Sequence, residues 1–584
     1  MFPREKINFK TAEEPLKVYR RLLGQKLTAS TVESWLIEWN AIECAHEEHS
    51  AMLDIACCAN TDNLAAKRAY NNYTENVGPH IQPYYKKMIR KFLKADRRLI
   101  NKKNKAYKNL AHSFRQDIKL ENYVNNRLLT QEALLVVEYD KIMASIEINK
   151  DGQKMTMTEA DSFKYMPQRS MRRKAFKAIA AEVEKRSDRI YSIFVDLLKI
   201  RRKIANNLGF SFREYVWKDT CRNYSPEDCL RFHRTILREI VPLAQRHAKH
   251  RIKSLGIKSL KPWDRECDLF GRDRLRPCTK PTELLSKAQS IFNQIDPSLG
   301  RLFKKYRERN LIDLESRKGK APGGFCMSLP KSGQPFIFMN AVGTQEDFQT
   351  LAHESGHAFH FSLACYYQNL RWEQDPPIEF CEVASMSMEL LVQKYLYPHV
   401  YTNQADADRA TYEHLEAMVY FLPYMSMVDL FQHWIYTEAP EEPTKEELAS
   451  KWTELAEKYD VRDWKGTEDC LGISWMTQSH IIQLPFYYIE YGIAQLGALQ
   501  VWRNSFVDEK KAIQQYKMAL KKGNSQVFSK LFNTIGAKFS FTRTHVRELF
   551  LMVDSIMKDL RKPKSTAFSR LAAGKLFNKY KNRV

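Results

Sequence analysis

The sequence has no stretch of about 18 consecutive apolar residues, the length a membrane-spanning helix needs, so no membrane partner is expected. Its first ten residues, MFPREKINFK, lack the apolar core of a secretory signal. Cysteine is present, with eleven residues, but no two are spaced as C-x-x-C, which argues against a cysteine-based zinc cluster. The number is odd, Cys57 and Cys58 are adjacent and the spacing is irregular, as expected of reduced thiols in a cytoplasmic protein rather than a disulfide framework. Internal repeats and low-complexity linkers are also missing, so any lobes are interleaved and not strung on a tether.

What is present suffices for a large folded body. A chain of 584 residues exceeds the usual size of one domain, and 44% hydrophobic with 12% aromatic residues supplies a sizeable core. The net charge of +24 raises the question of nucleic acid. The excess is concentrated in stretches such as 86–109 and 558–584, with no zinc finger, RNA-recognition signature or basic zipper beside it. A solvated basic surface accounts for it, and nucleic acid is not the expected partner.

The periodicity is mainly helical, for example through SFRQDIKLENYVNNRLLTQEALLVVEYDKIMA and EKRSDRIYSIFVDLLKIRRKIANNLGF, where Gly209 can close a helix. An exception lies near 145–160, where alternating stretches flank Asp151-Gly152 and predict a β-hairpin. PFIFMN at 335–340 predicts a short strand just before the stretch that carries the chemistry. The expected division is an N-terminal helical region 1–190 with the hairpin, a catalytic region 191–557 and a basic tail 558–584.

That stretch is TLAHESGHAFH, 350–360. His353 and His357 are four apart, so on a helix both imidazoles face one ion, and Glu354 stands where H-E-x-x-H places a general base. Thr344 and Asp347 form a capping-box pattern for the helix start. Gly356 costs up to about 1 kcal/mol in a helix interior, which suggests that another backbone or a substrate passes close to it. A third ligand must come from another element. After Pro376-Pro377 the amphipathic stretch IEFCEVASMSMELLVQKYL offers Glu382, 25 residues beyond His357, with Glu379 as a competitor. Glu389 lies two turns beyond Glu382, roughly 10 Å by helix rise, and suits a carboxylate that orients a ligand histidine. His360 reads equally as a core residue.

A second cluster, SWMTQSHIIQLPFYYIEYGIAQLGALQVW at 474–502, sets His480 before Tyr487, Tyr488 and Tyr491. Neutral hydroxyls and an imidazole suit an oxyanion, although the same pattern also fits an aromatic core helix.

Together the blocks GKAPGGFCMSLP, PFIFMNAVGT, LAHESGHAFH, EFCEVASMSMEL and HIIQLPFYYIEYGIAQL resemble the zinc oligopeptidases related to oligoendopeptidase F and Pz-peptidase and, more distantly, to thimet oligopeptidase and neurolysin. The likeness runs from about residue 60 to 555. It implies a two-lobed helical clamp around a deep channel, with a small β element beside the zinc-binding helix. It also implies one Zn²⁺ per chain on His353, His357 and Glu382, with Glu354 activating the attacking water. His480, Tyr488 and Tyr491 would hold the carbonyl oxygen, and the substrates would be short peptides cut internally. The spacing from histidine to tyrosine is one residue shorter than in the thimet branch, which leaves Tyr487 beside Tyr488. The basic tail has no counterpart in the likeness. Two alternatives are a carboxypeptidase of the related helical group and a basic helical scaffold for nucleic acid. Cleavage preference and oligomeric state are not legible.

Overall fold

The computed structural model describes residues 7–95, 105–150 and 153–561. Helices dominate, and each follows from an apolar stripe of period near 3.6. The helix Ser187–Asn206, for instance, buries Ile190, Ile193, Phe194, Leu197, Leu198 and Ile204 along one face. Beyond its end Gly209 adopts a left-handed φ of 75° while the Phe210 amide donates back to Ala205 O at 3.1 Å.

The stretch that reads as one helix over 113–144 is two, Lys105–Lys119 and Asn125–Ala144. Asn122 accepts from the Val124 amide at 3.0 Å and donates to Asn207 O at 2.9 Å, a local alternative to helical bonding that breaks the run.

The expected hairpin is present as strands β1 (Glu147–Lys150) and β2 (Gln153–Thr156), antiparallel. Its turn, Asp151-Gly152, lies outside the described residues. The second strand stops early because Thr156 caps the short helix Met157–Asp161 in a capping box with Glu159.

A three-stranded sheet comprises β3 (Ile312–Glu315), β4 (Phe325–Leu329) and β5 (Gln334–Ala341) in the order β3-β5-β4. β5 contains PFIFMN; it pairs parallel with β3 and antiparallel with β4. It feeds through Gly343 and Thr344 into the helix Gln345–Tyr367, called here the motif helix.

Two main hydrophobic cores hold these elements. The larger draws on residues from Tyr139 to Met557. The other collects Phe9 to Phe114 with Leu370, and centres on Trp39, whose ring lies 5.3 Å from Trp35, 5.3 Å from Phe114 and 4.7 Å from Trp372. Burying side chains of this kind contributes about 1.5–3 kcal/mol each, which makes these aromatics the main tie between the N-terminal helices and the 370–374 segment.

The result is mainly α, a two-lobed helical clamp around a deep channel, with the small sheet beside the motif helix. Among the described residues no helix is long and apolar enough to cross a membrane. Part of the first basic stretch, 96–104, and most of the basic tail, 562–584, lie outside the described residues; the last described helix is Arg543–Leu560.

Candidate metal centre and active site

The register of the site is set at the start of the motif helix. Thr344 Oγ1 accepts from the Asp347 amide at 3.3 Å, and Asp347 Oδ2 accepts from the Thr344 amide at 2.8 Å. Asp347 thereby satisfies free amides and places negative charge at the positive end of the helix.

Two turns on, His353 and His357 stand one above the other with ring centroids 4.8 Å apart and Nε2 atoms 3.1 Å apart. The glutamate helix, Ile378–Leu391, begins directly after Pro376-Pro377 and crosses the motif helix at Gly356. A Cβ at Gly356 would lie 2.6 Å from Ser385 Cα and 2.8 Å from Ala384 O, so the neighbour expected at this glycine is the glutamate helix backbone. That close approach brings Glu382 Oε2 to 3.4 Å from His353 Nε2 and 3.7 Å from His357 Nε2, and the three donor atoms lie within 4.8 Å of one another.

The set fits a zinc ion. His353 Nδ1 donates to Glu389 Oε1 at 2.6 Å, which leaves a neutral ring's Nε2 lone pair directed at the other two donors. Two imidazole nitrogens and a carboxylate oxygen are the donors zinc prefers, and their mutual approach calls for a positive charge between them.

The electrostatics follow from burial and these contacts. Burial would push the His353 pKa down, but Glu382 and Glu389 outweigh it and the net shift is up. His357 is pushed down to about 4 by burial. Burial would raise the Glu382 carboxyl, yet His353, His357 and the Ser385 hydroxyl bring it down to about 2. Glu354, 6% exposed, is raised to about 7, mainly by burial.

The competitor Glu379 is buried elsewhere, where it accepts from the Tyr224 hydroxyl at 2.6 Å. His360 is buried against Phe380, its ring 5.8 Å away, and burial pushes its pKa down to about 3.

The stretch with the second cluster is not one helix. A 3₁₀ turn, Ser474–Thr477, and a short helix, Ser479–Gln483, precede the tyrosine helix Tyr488–Val507, with Pro485 and Phe486 at the break. Phe486 has a left-handed φ of 63° and is fully buried. Its amide donates to Gln432 Oε1 at 3.0 Å and its carbonyl accepts from Arg222 at 2.8 Å, which holds the reversal of the chain. The tyrosine helix packs on the glutamate helix at Gly497, where a Cβ would meet Val383 Cγ2 at 2.7 Å.

The His480 ring lies 5.6, 5.0 and 5.8 Å from those of Tyr487, Tyr488 and Tyr491. The Gln478 amide nitrogen donates to His480 Nδ1 at 2.9 Å while its oxygen accepts from Tyr424 at 2.9 Å, so the His480 ring proton sits on Nε2. His353, His480, Tyr488 and Tyr491 share the wall of a cavity of about 1340 Å³. Burial raises the pKa of all three tyrosines, and the charge of Glu382 adds to it for Tyr487 and Tyr491.

Sequence reading missed the groups that hold Glu389. Gln349 donates to its Oε2 at 3.0 Å, and His414 Nε2 lies 3.6 Å from the same oxygen. The Gln349–His353 pair, four apart, was a readable signal; His414 comes from the long helix Gln404–Thr437 and had none.

A helical clamp that pairs an H-E-x-x-H helix with a glutamate from a neighbouring helix has the architecture of the helical zinc-peptidase class. The model of peptidase family M3 matches residues 162–550, more than half of the chain, and the chain belongs to that family. It is 30% identical over 240 residues to the oligopeptidase PepF of Bacillus subtilis, covering 38% of this chain and 33% of the relative. It is 28% identical over 225 residues to an oligoendopeptidase F homolog of Borreliella burgdorferi, covering 37% and 36%. The chain thus spans about a third of the length of these relatives. Among solved structures, Pz peptidase A with an inhibitor superposes with a TM-score of 0.87 at 25% identity, over 97% of this chain and 100% of that one.

Proposed function

We propose that this protein is a zinc-dependent oligoendopeptidase that hydrolyses internal bonds of short peptides. The observation that carries the reading is the convergence of His353, His357 and Glu382, with Glu354 next to His353 in the chain, where His353 opens onto a cavity that His480 and Tyr491 also line. In this reading residues 191–557 hold the catalytic machinery, 1–190 complete the clamp and 558–584 form a basic tail. The eleven cysteines are all unpaired, which suits a reducing cytoplasm.

His353, His357 and Glu382 would hold one zinc ion. When bound, it supplies Lewis acidity toward a peptide carbonyl and lowers the pKa of water toward about 7. Glu389 fixes the His353 ring through Nδ1. Glu354 takes the proton of the attacking water as the oxygen–carbon bond forms, and returns it to the amine nitrogen as the carbon–nitrogen bond breaks. His480 Nε2–H and the hydroxyl of Tyr491 donate to the carbonyl oxygen as it gains charge, with Tyr488 as a further donor. A second assignment gives that place to Tyr487, because Glu382 bears on Tyr487 and Tyr491 alike and their rings are 5.3 Å apart. The cavity has room for a few extended residues and none for a folded domain.

The test is digestion of short peptides with mass mapping of products, with and without chelator, using free and amidated C-termini. Internal cuts in both peptide sets that vanish with chelator are expected. Release of single C-terminal residues, abolished by amidation, would make the protein a carboxypeptidase instead. Zinc-free protein with no cleavage at all would leave only the scaffold reading.

A further inference from the structure

A second cluster of metal-ligating residues lies in the core, apart from the centre above. His233, on the helix Pro226–Glu239, points at Asp429 and His433, which stand one turn apart on the long helix Gln404–Thr437. His233 Nε2 is 2.6 Å from Asp429 Oδ2, and His433 Nε2 is 3.2 Å from the same oxygen. One donor atom from each falls within 4.8 Å of the others. Their side chains are 1%, 0% and 4% exposed.

Hydrogen bonding leaves this cluster unfinished. Among the described residues, Asp429 Oδ1 and both ring nitrogens of His433 are buried without a hydrogen-bond partner. His433 Nε2 is close to the carboxylate but not aligned for a bond, and aromatic rings wall it in, with Trp217 at 5.9 Å and Phe486 at 5.1 Å. A buried carboxylate with a spare oxygen beside an unbonded imidazole is costly unless a positive charge completes it. His233 Nδ1 lies 3.0 Å from Ser426 Oγ; donation to that oxygen would leave the Nε2 lone pair facing the cluster.

We propose that His233, Asp429 and His433 form a second, closed site for a divalent cation of the zinc class. Two imidazoles and a carboxylate match that class of ion, and the unbonded Asp429 Oδ1 offers a fourth donor atom. Buried and walled by aromatic rings, the site is structural and takes no substrate. Its place in the fold gives it a consequence. Gln432, between the two ligands on the long helix, accepts from the Phe486 amide and donates to His480 O at 3.3 Å, so an ion here would stiffen the support of the His480 loop.

The proposal does not rest on the peptidase reading, and metal counting separates the two. The full-length protein is loaded with zinc alone, dialysed and its metal measured per chain. Two equivalents are expected in the wild type and one in Glu382→Ala, whose remaining zinc should show X-ray absorption from nitrogen and oxygen donors including imidazole. His433→Gln, checked for folding by circular dichroism, should also hold one. One equivalent in the wild type and none in Glu382→Ala overturns the proposal, however His433→Gln folds. A remaining equivalent in Glu382→Ala without imidazole scattering overturns it too. One equivalent kept in Glu382→Ala and lost in His433→Gln would uphold the closed site and sink the open one.

Discussion

The open cluster His353–His357–Glu382 and the closed cluster His233–Asp429–His433 use the same residue types at similar separations, yet only the first is proposed to do chemistry. The histidines of the open cluster are 23% and 21% exposed and those of the closed one 1% and 4%. Around the first stand a carboxylate free of ligand duty, Glu354, and a cavity with hydroxyl donors; around the second stand Trp217 and Phe486. In the proposed reading catalysis therefore depends less on the metal ligands than on what lies beside them, and on whether a substrate can enter.

The largest expected effect breaks that distinction at its centre. Glu354→Gln keeps the ligands and removes the base, so the metal content should match the wild type while peptide turnover falls by about 10²–10⁴. Turnover above about a tenth of wild type would show that Glu354 is not the base and that the open cluster owes its reactivity to something else. Next comes Tyr491→Phe, which removes one donor with little change in packing. The expected loss is about 10² in kcat with KM nearly unchanged, because the bond strengthens mainly in the transition state. Tyr487→Phe and Tyr488→Phe measured beside it decide which neighbour shares the role, and normal turnover in all three would leave His480 as the remaining donor.

Much of the open cluster was readable because it is local. Thr344, Asp347, His353, Glu354 and His357 lie within one helix, where spacing fixes the face, and Gly356 marked a close neighbour before the neighbour was known. Glu382 and Glu389 needed only the next helix after a proline pair. The tyrosine region was harder. Its composition suggests one aromatic helix, while Phe486 at positive φ, held by Gln432 and Arg222, turns the chain between His480 and Tyr488. Those supports come from elements 54 and 264 residues away, beyond the reach of periodicity. The closed cluster was half legible: Asp429 and His433 are a one-turn pair, but His233 reaches them across 196 residues. β3 and β4 are four and five residues long and escaped notice for want of a pattern that long-range pairing would reveal.

A smaller effect concerns how each cluster is held from behind. Glu389→Gln leaves the three ligands of the open cluster in place and weakens the acceptor at His353 Nδ1. Zinc affinity should fall about 10–100-fold, measured by competition with a chromogenic chelator, with turnover restored at high zinc. Unchanged affinity would mean that a neutral acceptor at this position orients the His353 ring as well as the carboxylate does.

The smallest effect tests the matching support of the closed cluster. Ser426 is fully buried and its hydroxyl lies 3.0 Å from His233 Nδ1. If an ion fixes the ring through Nε2, Ser426→Ala removes the acceptor of a buried Nδ1–H. Leaving that donor unpaired costs about 1–3 kcal/mol, seen as a drop in the urea midpoint. The second metal equivalent should remain, released about tenfold faster to chelator. A proton network without metal behaves differently. The hydroxyl is then the donor to Nδ1, and its removal strands a buried nitrogen at a similar cost of about 1–3 kcal/mol but with no metal to release. Metal content and release kinetics measured on the same protein therefore separate a histidine held by an ion from one held only by its neighbours, a distinction that rests on a single hydroxyl.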